Sequence, residues 1–183
     1  MDEKGLFLTQ LDQDPLILDS LGSRPNHYPE PEMYANRLFY IQRNQNSNAV
    51  IYEANLLAGG LLNLDEPISI HWIQFDPVTG EEKIQSLNHI QKKLAYGYHF
   101  DVVHPDLIRF KFVSYDDLVF YLVRTANGIY KVATDITGQS AYLSSIYIYA
   151  EDLGVFPQVR FAELFGTSRN EGKPLYQKII LNL

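Results

Sequence analysis

From Asn36 onward the chain is cut into short runs of β-branched and aromatic residues, each fenced by Gly, Pro, Asn or Asp. This rhythm restricts the fold more than any other feature of the sequence. The runs are Arg37–Arg43, Ala49–Leu57, Pro67–Phe75, Ile108–Tyr115, Leu118–Thr125, Ile129–Ile136, Tyr142–Ala150, Val159–Phe165 and Leu175–Leu181, with Tyr96–Val103 as a further one. An α/β fold would need helices between them. Their spacing therefore predicts an all-β, mostly antiparallel domain, a β-barrel or β-sandwich of about 8–10 strands.

Two turns are specific. Asn127-Gly128 between strand runs predicts a type I′ hairpin, because both central positions need positive φ. Asp76–Gly80 reads as a longer turn in which Pro77 fixes φ and Gly80 takes the left-handed position. One short helix is expected near residues 86–96. Leu87, Ile90 and Leu94 recur at helical spacing, Ser86 can cap the start, and Gly97 can end it in the left-handed conformation. Residues 1–35 differ from the rest. Pro15, Pro25, Pro29 and Pro31 lie among Asp, Asn, Ser and Gly. That composition predicts an extended arm or linker ahead of a single domain over 36–183, with Pro15–Leu18 as its one apolar piece.

Period-2 faces locate the polar residues inside the strands. Ile68, Ile70 and Trp72 share a face opposite Ser69, His71, Ile73 and Phe75. Ile108, Phe110 and Phe112 oppose Arg109, Lys111, Val113 and Tyr115, and Lys131 sits in a third such strand. Either these cations lie on the solvated face of an amphipathic sheet, or the sheet closes and they line a mouth with His71, Trp72 and Tyr side chains. The second reading assigns His71, Trp72, Tyr96, Arg109, Lys111, Lys131 and Arg43 to a site for a small anionic or aromatic ligand.

Composition removes several classes. There is no Cys, so disulfides and Cys-ligated metals are excluded. The net charge is −7, and Lys92-Lys93 is the one basic doublet, which argues against nucleic acid. No apolar run approaches a transmembrane span of roughly 20 residues, and acidic residues near the start replace a secretory signature. The residues thus read as cytoplasmic, or as periplasmic or extracellular if an export signal has been removed. No H-E-x-x-H, G-x-S-x-G or phosphate loop is present. His99, Asp101 and His104 lie close in sequence but read as polar residues at a strand end. No catalytic residue, metal or cofactor is assigned.

Asn36-Arg37-Leu38-Phe39-Tyr40-Ile41, followed by Arg43, Asn46, Asn48, Val50 and Tyr52, resembles the opening motif of an uncharacterised bacterial domain-of-unknown-function family of about 200 residues. Pro67-Ile68 with Ile70 and Trp72, Ala95–Tyr98, and Glu163–Gly166 with Gly172 and Tyr176 resemble its later segments. The resemblance spans residues 36 to 181 and brings no catalytic residue with it. Many members of that family are exported, which the resemblance sets against the cytoplasmic reading.

Three functional expectations follow. The first is a non-enzymatic module that binds a small ligand or another protein. The second is a hydrolase or isomerase for a small anionic substrate, with His71 as acid/base and Arg109 or Lys111 as anion clamp. The third is self-assembly, a homodimer formed through an exposed sheet edge or the N-terminal arm.

Overall fold

The computed structural model describes residues 23–152 and 157–181, so Pro15–Leu18 lies outside them. Strands dominate, and they form one mixed, mostly antiparallel sheet that curls into a half-barrel. The all-β expectation is borne out. The strands are β1 (Arg37–Arg43), β2 (Asn46–Ala54), β3 (Ile68–Phe75), β4 (Glu82–Ser86), β5 (Tyr98–His104), β6 (Leu107–Phe112), β7 (Tyr115–Arg124), β8 (Tyr130–Ile136), β9 (Gln139–Asp152), β10 (Pro157–Ser168) and β11 (Pro174–Ile180). One strand more than the sequence suggested is present. It is β4, whose Glu82-Lys83-Ile84-Gln85-Ser86 has no apolar alternation because it is a largely exposed edge.

The long strand β9 organises the sheet. One of its edges pairs with β10 from Ala141 to Asp152. The other is shared: β8 pairs antiparallel with Gln139–Tyr142, and β1 then runs parallel to Ser145–Ile148. Two wings follow, β1-β2-β3-β4 on one side and β8-β7-β6-β5 on the other. Asn44 extends the β1 ladder with its side chain. Its amide donates to the Ala150 carbonyl and its side-chain carbonyl accepts from the Ala150 N–H, both at 2.9 Å. That gives Asn44, at the β1–β2 turn, a structural role.

The inner face of the curl holds the main core. Phe39, Ile41, Val50, Tyr52, Ile108, Phe110, Phe120, Leu122, Ile146 and Leu164 are buried together there. Phe39 stacks on Tyr52 at 4.4 Å, and Phe112 meets both rings edge-on. The face parity read from β3 and β6 holds, since Ile68 and Ile108, Phe110 and Phe112 point inward.

The turns correct one expectation. The β7–β8 strands are antiparallel partners, but Asn127 has no positive φ. Gly128 alone does, at 78°, and its N–H closes a turn onto the Thr125 carbonyl. This is a type I turn followed by a left-handed Gly, rather than type I′. The two-residue positive-φ hairpin lies instead at Thr137-Gly138, with φ of 53° and 75°, between β8 and β9.

The helix is where it was expected but built differently. In α1, an α-helical turn, His89–Gln91, runs directly into a π-helical segment, Lys92–Tyr96. Asn88, not Ser86, caps it, in a capping box with Gln91. Gly97 is extended (φ −68°, ψ 170°), not left-handed. It is needed for a close approach, since a Cβ there would lie 1.9 Å from the Lys92 carbonyl oxygen. Leu87 precedes the cap, and the wider π winding shifts the phase from Lys92 onward. Leu87 reaches the core, while Ile90 and Leu94 are 67% and 66% exposed. Among the described residues, no helix is long and apolar enough to cross a membrane.

Candidate functional site

Inside the curl, between α1 and the β9–β10–β11 side, the core is incompletely filled. A recess of about 100 Å³ is walled by Ile41, Phe112, Phe120, Ile146, Ala162 and Leu164, with Ala95 and Tyr96 from α1. The walls are almost wholly apolar because most of them are inward positions of the strands.

Ser114, Tyr115 and Tyr96 bring polar groups to the wall, and of these Tyr96 is the buried one. Its side chain is buried, and the Arg43 side chain is the one group placed to donate to its hydroxyl, whose own O–H finds no acceptor among the described residues. The Arg43 guanidinium lies over the Tyr96 ring, 5.4 Å from its centroid, and the buried Nε of Arg43 has no partner. Burial pushes the Tyr96 hydroxyl above its ordinary pKa, and the charge of Arg43 and its hydrogen bond to the hydroxyl oppose that rise in part. Trp72 meets Tyr96 edge-on at 5.2 Å and directs its indole N–H toward Gln91 at 3.4 Å. The Tyr52 hydroxyl donates to the Tyr96 carbonyl at 2.7 Å, which fixes the end of the π segment.

The structure thus brings together three of the residues singled out from sequence: Arg43, Trp72 and Tyr96. It keeps the other four apart from them. His71 is on the outer face of β3, with its Nδ1 4.0 Å from Glu53, beyond hydrogen-bond reach. Arg109 is exposed and ion-paired with Asp101 at 2.7 Å. Lys111 stands opposite His99 on the outer side of β6, and Lys131 is exposed, over the Tyr142 ring at 4.7 Å. Arg109, Lys111 and Lys131 take outward positions, as amphipathic strands allow. His104 accepts from the Asp106 N–H, and Asp101 is engaged by Arg109. Among the described residues, no three His, Asp or Glu side chains gather as a metal site.

The family model for "Domain of unknown function (DUF4833)" matches residues 39–178 of the 183-residue chain. The chain belongs to that family. No curated protein and no solved structure matches it.

One cluster in this DUF4833 domain escaped the sequence reading. On the outer face, Glu163 of β10 is completely buried under residues 23–31. Its carboxylate accepts from Ser23 Oγ at 2.6 Å, from Tyr176 OH at 2.8 Å and from the Arg24 N–H at 3.3 Å. Beside it the Arg24 guanidinium donates to Gln42 and to the Tyr28 carbonyl, and Gln42 donates to the Pro29 and Ser47 carbonyls. Burial pushes the neighbouring Tyr147 hydroxyl strongly upward, reinforced by Tyr28 and Glu163. The cluster fastens residues 23–31 to the sheet. Its bonds from Ser23 and Arg24 to Glu163 join residues about 140 positions apart, so no local pattern announces them.

Proposed function

We propose that this DUF4833 domain is a small-ligand binding module whose site is the recess inside the curl. The observation that carries this reading is an apolar cavity with the buried Tyr96 hydroxyl on its wall, its O–H without an acceptor among the described residues, and the Arg43 charge beside that ring but outside the wall. Buried polar groups in native proteins are almost always hydrogen-bonded, and exceptions point to strain or to a missing partner. A ligand acceptor in the recess would complete the Tyr96 hydroxyl. The ligand class follows from the walls. Its body is apolar, and its one polar end is an acceptor or an anion, matched to the Tyr96 hydroxyl donor and favoured by the Arg43 charge behind that ring. Dry apolar cavities of roughly 150 Å³ admit a benzene-sized guest, so the body is a ring or short chain of about half a dozen heavy atoms.

The test is calorimetric titration with hexanoate against hexanol, repeated on Ala162→Leu. Ala162 lines the recess, and the larger side chain fills it. Hexanoate binding that is tighter than hexanol binding and is abolished in Ala162→Leu supports the reading. Absence of binding at millimolar hexanoate, or binding that survives the filling substitution, overturns it.

A further inference from the structure

A second concavity lies across α1 from the recess, at the seam where β3 and β5 approach without forming a ladder. This groove has a volume of about 400 Å³. Its floor includes Ile70 from β3 and the rings of Tyr98 and Phe100 from β5. Its walls carry Lys92, Lys93 and His89 from α1 and His99 from β5, facing a single carboxylate, Glu66.

That concentration runs against a chain of net charge −7. Several cations elsewhere are matched: Arg109 with Asp101, Arg160 with Glu151, Lys173 with Glu171, and Lys178 over the Phe161 ring. Among the described residues Lys92 and Lys93 have no ion pair and no ring beneath them. Two permanent cations over a concave apolar floor focus a positive potential, and the two imidazoles add N–H donors. The floor is rigid. The Tyr98 hydroxyl donates to the Ile68 carbonyl at 2.8 Å and accepts from the Ile68 N–H at 2.9 Å, pinning β5 to β3. Gly97, at the edge of the groove, gives the Val113 N–H its acceptor and so holds the β6–β7 turn in place.

We infer that this groove binds a small organic anion in which a phosphate or carboxylate is borne on a flat aromatic body. The ring lies against Tyr98 and Phe100, and the charge lies between Lys92 and Lys93. Stacking supplies the apolar share of the affinity and the lysines supply the salt-sensitive share. The site is separate from the recess and does not depend on the function proposed for it.

The experiment is an amide-resolved NMR titration with phenyl phosphate, with inorganic phosphate and phenol as comparators. The variant is Lys92→Ala/Lys93→Ala. Both side chains are exposed on α1, so the fold is retained, and unchanged resonances outside the groove verify this. Phenyl phosphate is expected to shift the amides of Lys92, Lys93 and Gly97–Phe100 saturably. The double variant is expected to weaken it about tenfold or more, added salt to weaken it further, and each comparator to bind at least about tenfold more weakly. No saturable shift at millimolar phenyl phosphate overturns the inference. So does unchanged affinity in the double variant, or inorganic phosphate binding as tightly as its phenyl ester. Ala162→Leu leaves this titration unaltered, which separates failure here from failure of the recess.

Discussion

Tyr52 and Tyr96 are both buried and are joined by one hydrogen bond, yet removal of their hydroxyls should change stability in opposite directions. Tyr52→Phe deletes the 2.7 Å bond to the Tyr96 carbonyl but keeps the ring contacts with Phe39 and Phe112. A lost neutral hydrogen bond costs about 1 kcal/mol. Tyr96→Phe keeps the ring contacts with Trp72 and Arg43 but deletes a buried hydroxyl whose O–H has no acceptor among the described residues. Relieving that desolvation is worth about 1 kcal/mol in the stabilising direction, toward the low end because Arg43 is close. The two variants should thus differ by about 2 kcal/mol. With a urea m-value of about 2 kcal/mol per molar, their midpoints separate by about 1 M, on either side of the parent protein.

Alkaline pH gives an independent check. The folded pKa of Tyr96 is raised by burial. Its contribution is fully present below the unfolded value near 10 and is lost as pH rises through the folded value. A phenylalanine ring does not titrate, so the advantage of Tyr96→Phe over the parent should widen above about pH 10. Urea melts at neutral pH and at alkaline pH measure both effects. If Tyr96→Phe lowers the midpoint as much as Tyr52→Phe does, the Tyr96 hydroxyl is already satisfied, and the argument for a polar ligand end in the recess fails with it.

Glu163→Ala removes the acceptor of three bonds from Ser23, Tyr176 and the Arg24 N–H. It should cost about 3 kcal/mol and accelerate amide exchange at Arg24, with Glu163→Gln losing less. Equal exchange at Arg24 in parent and variant would show that the carboxylate does not hold the segment. Thr137 is a β-branched residue at φ 53°, so Thr137→Gly should raise the thermal midpoint by an amount equivalent to about 0.5–1 kcal/mol. A lower midpoint would mean that the contacts of Thr137 outweigh its strain. Tyr98→Phe deletes both bonds across the seam and should cost about 2 kcal/mol in urea melts. Burial pushes the Tyr98 hydroxyl up to about 12, so the stability it gives is present below about pH 10 and lost as pH climbs toward 12. Tyr98→Phe should lack that part of the alkaline decline, as titration of the urea midpoint would show.

Strand positions were legible because a half-barrel buries one face of nearly every strand, and burial writes period-2 alternation into β3 and β6. β4 was not, since an edge strand has no second face to hide and Glu82–Ser86 reads as loop. Asn127-Gly128 carried the right pairing and the wrong turn. The dipeptide favours positive φ, but the turn needed only one such residue, at Gly128. Conversely, Thr137 is a poor left-handed residue, and its turn became visible only once the register of β8 and β9 was known. For the site, Arg43, Trp72 and Tyr96 stood out as polar or aromatic residues in apolar context. Whether they met depended on the π segment, which no helical period encodes. Arg109 and Lys111 were placed on one face correctly, but periodicity alone cannot say whether that face encloses a cavity or meets water.

The failure of the sheet to close accounts for the groove. β4 pairs with β3 from Phe75↔Glu82 to His71↔Ser86. Continued in the same register, Leu87, Asn88 and His89 would cover Ile70, Ser69 and Ile68. The capping box at Asn88 turns the chain into α1 instead, and the N–H and carbonyl of Ile68 are left facing β5. A ladder there would require β5 to approach to about 4.8 Å, which would also leave no room for α1 between the two wings. The Tyr98 hydroxyl satisfies both Ile68 groups from a greater distance. One phenol therefore takes the place of a strand pair, and the width it preserves is the groove that Lys92 and Lys93 overlook. Closure and binding are thus competing uses of the same edge. A variant that extended β4 past Ser86 would be expected to gain sheet pairing and lose the anion site together.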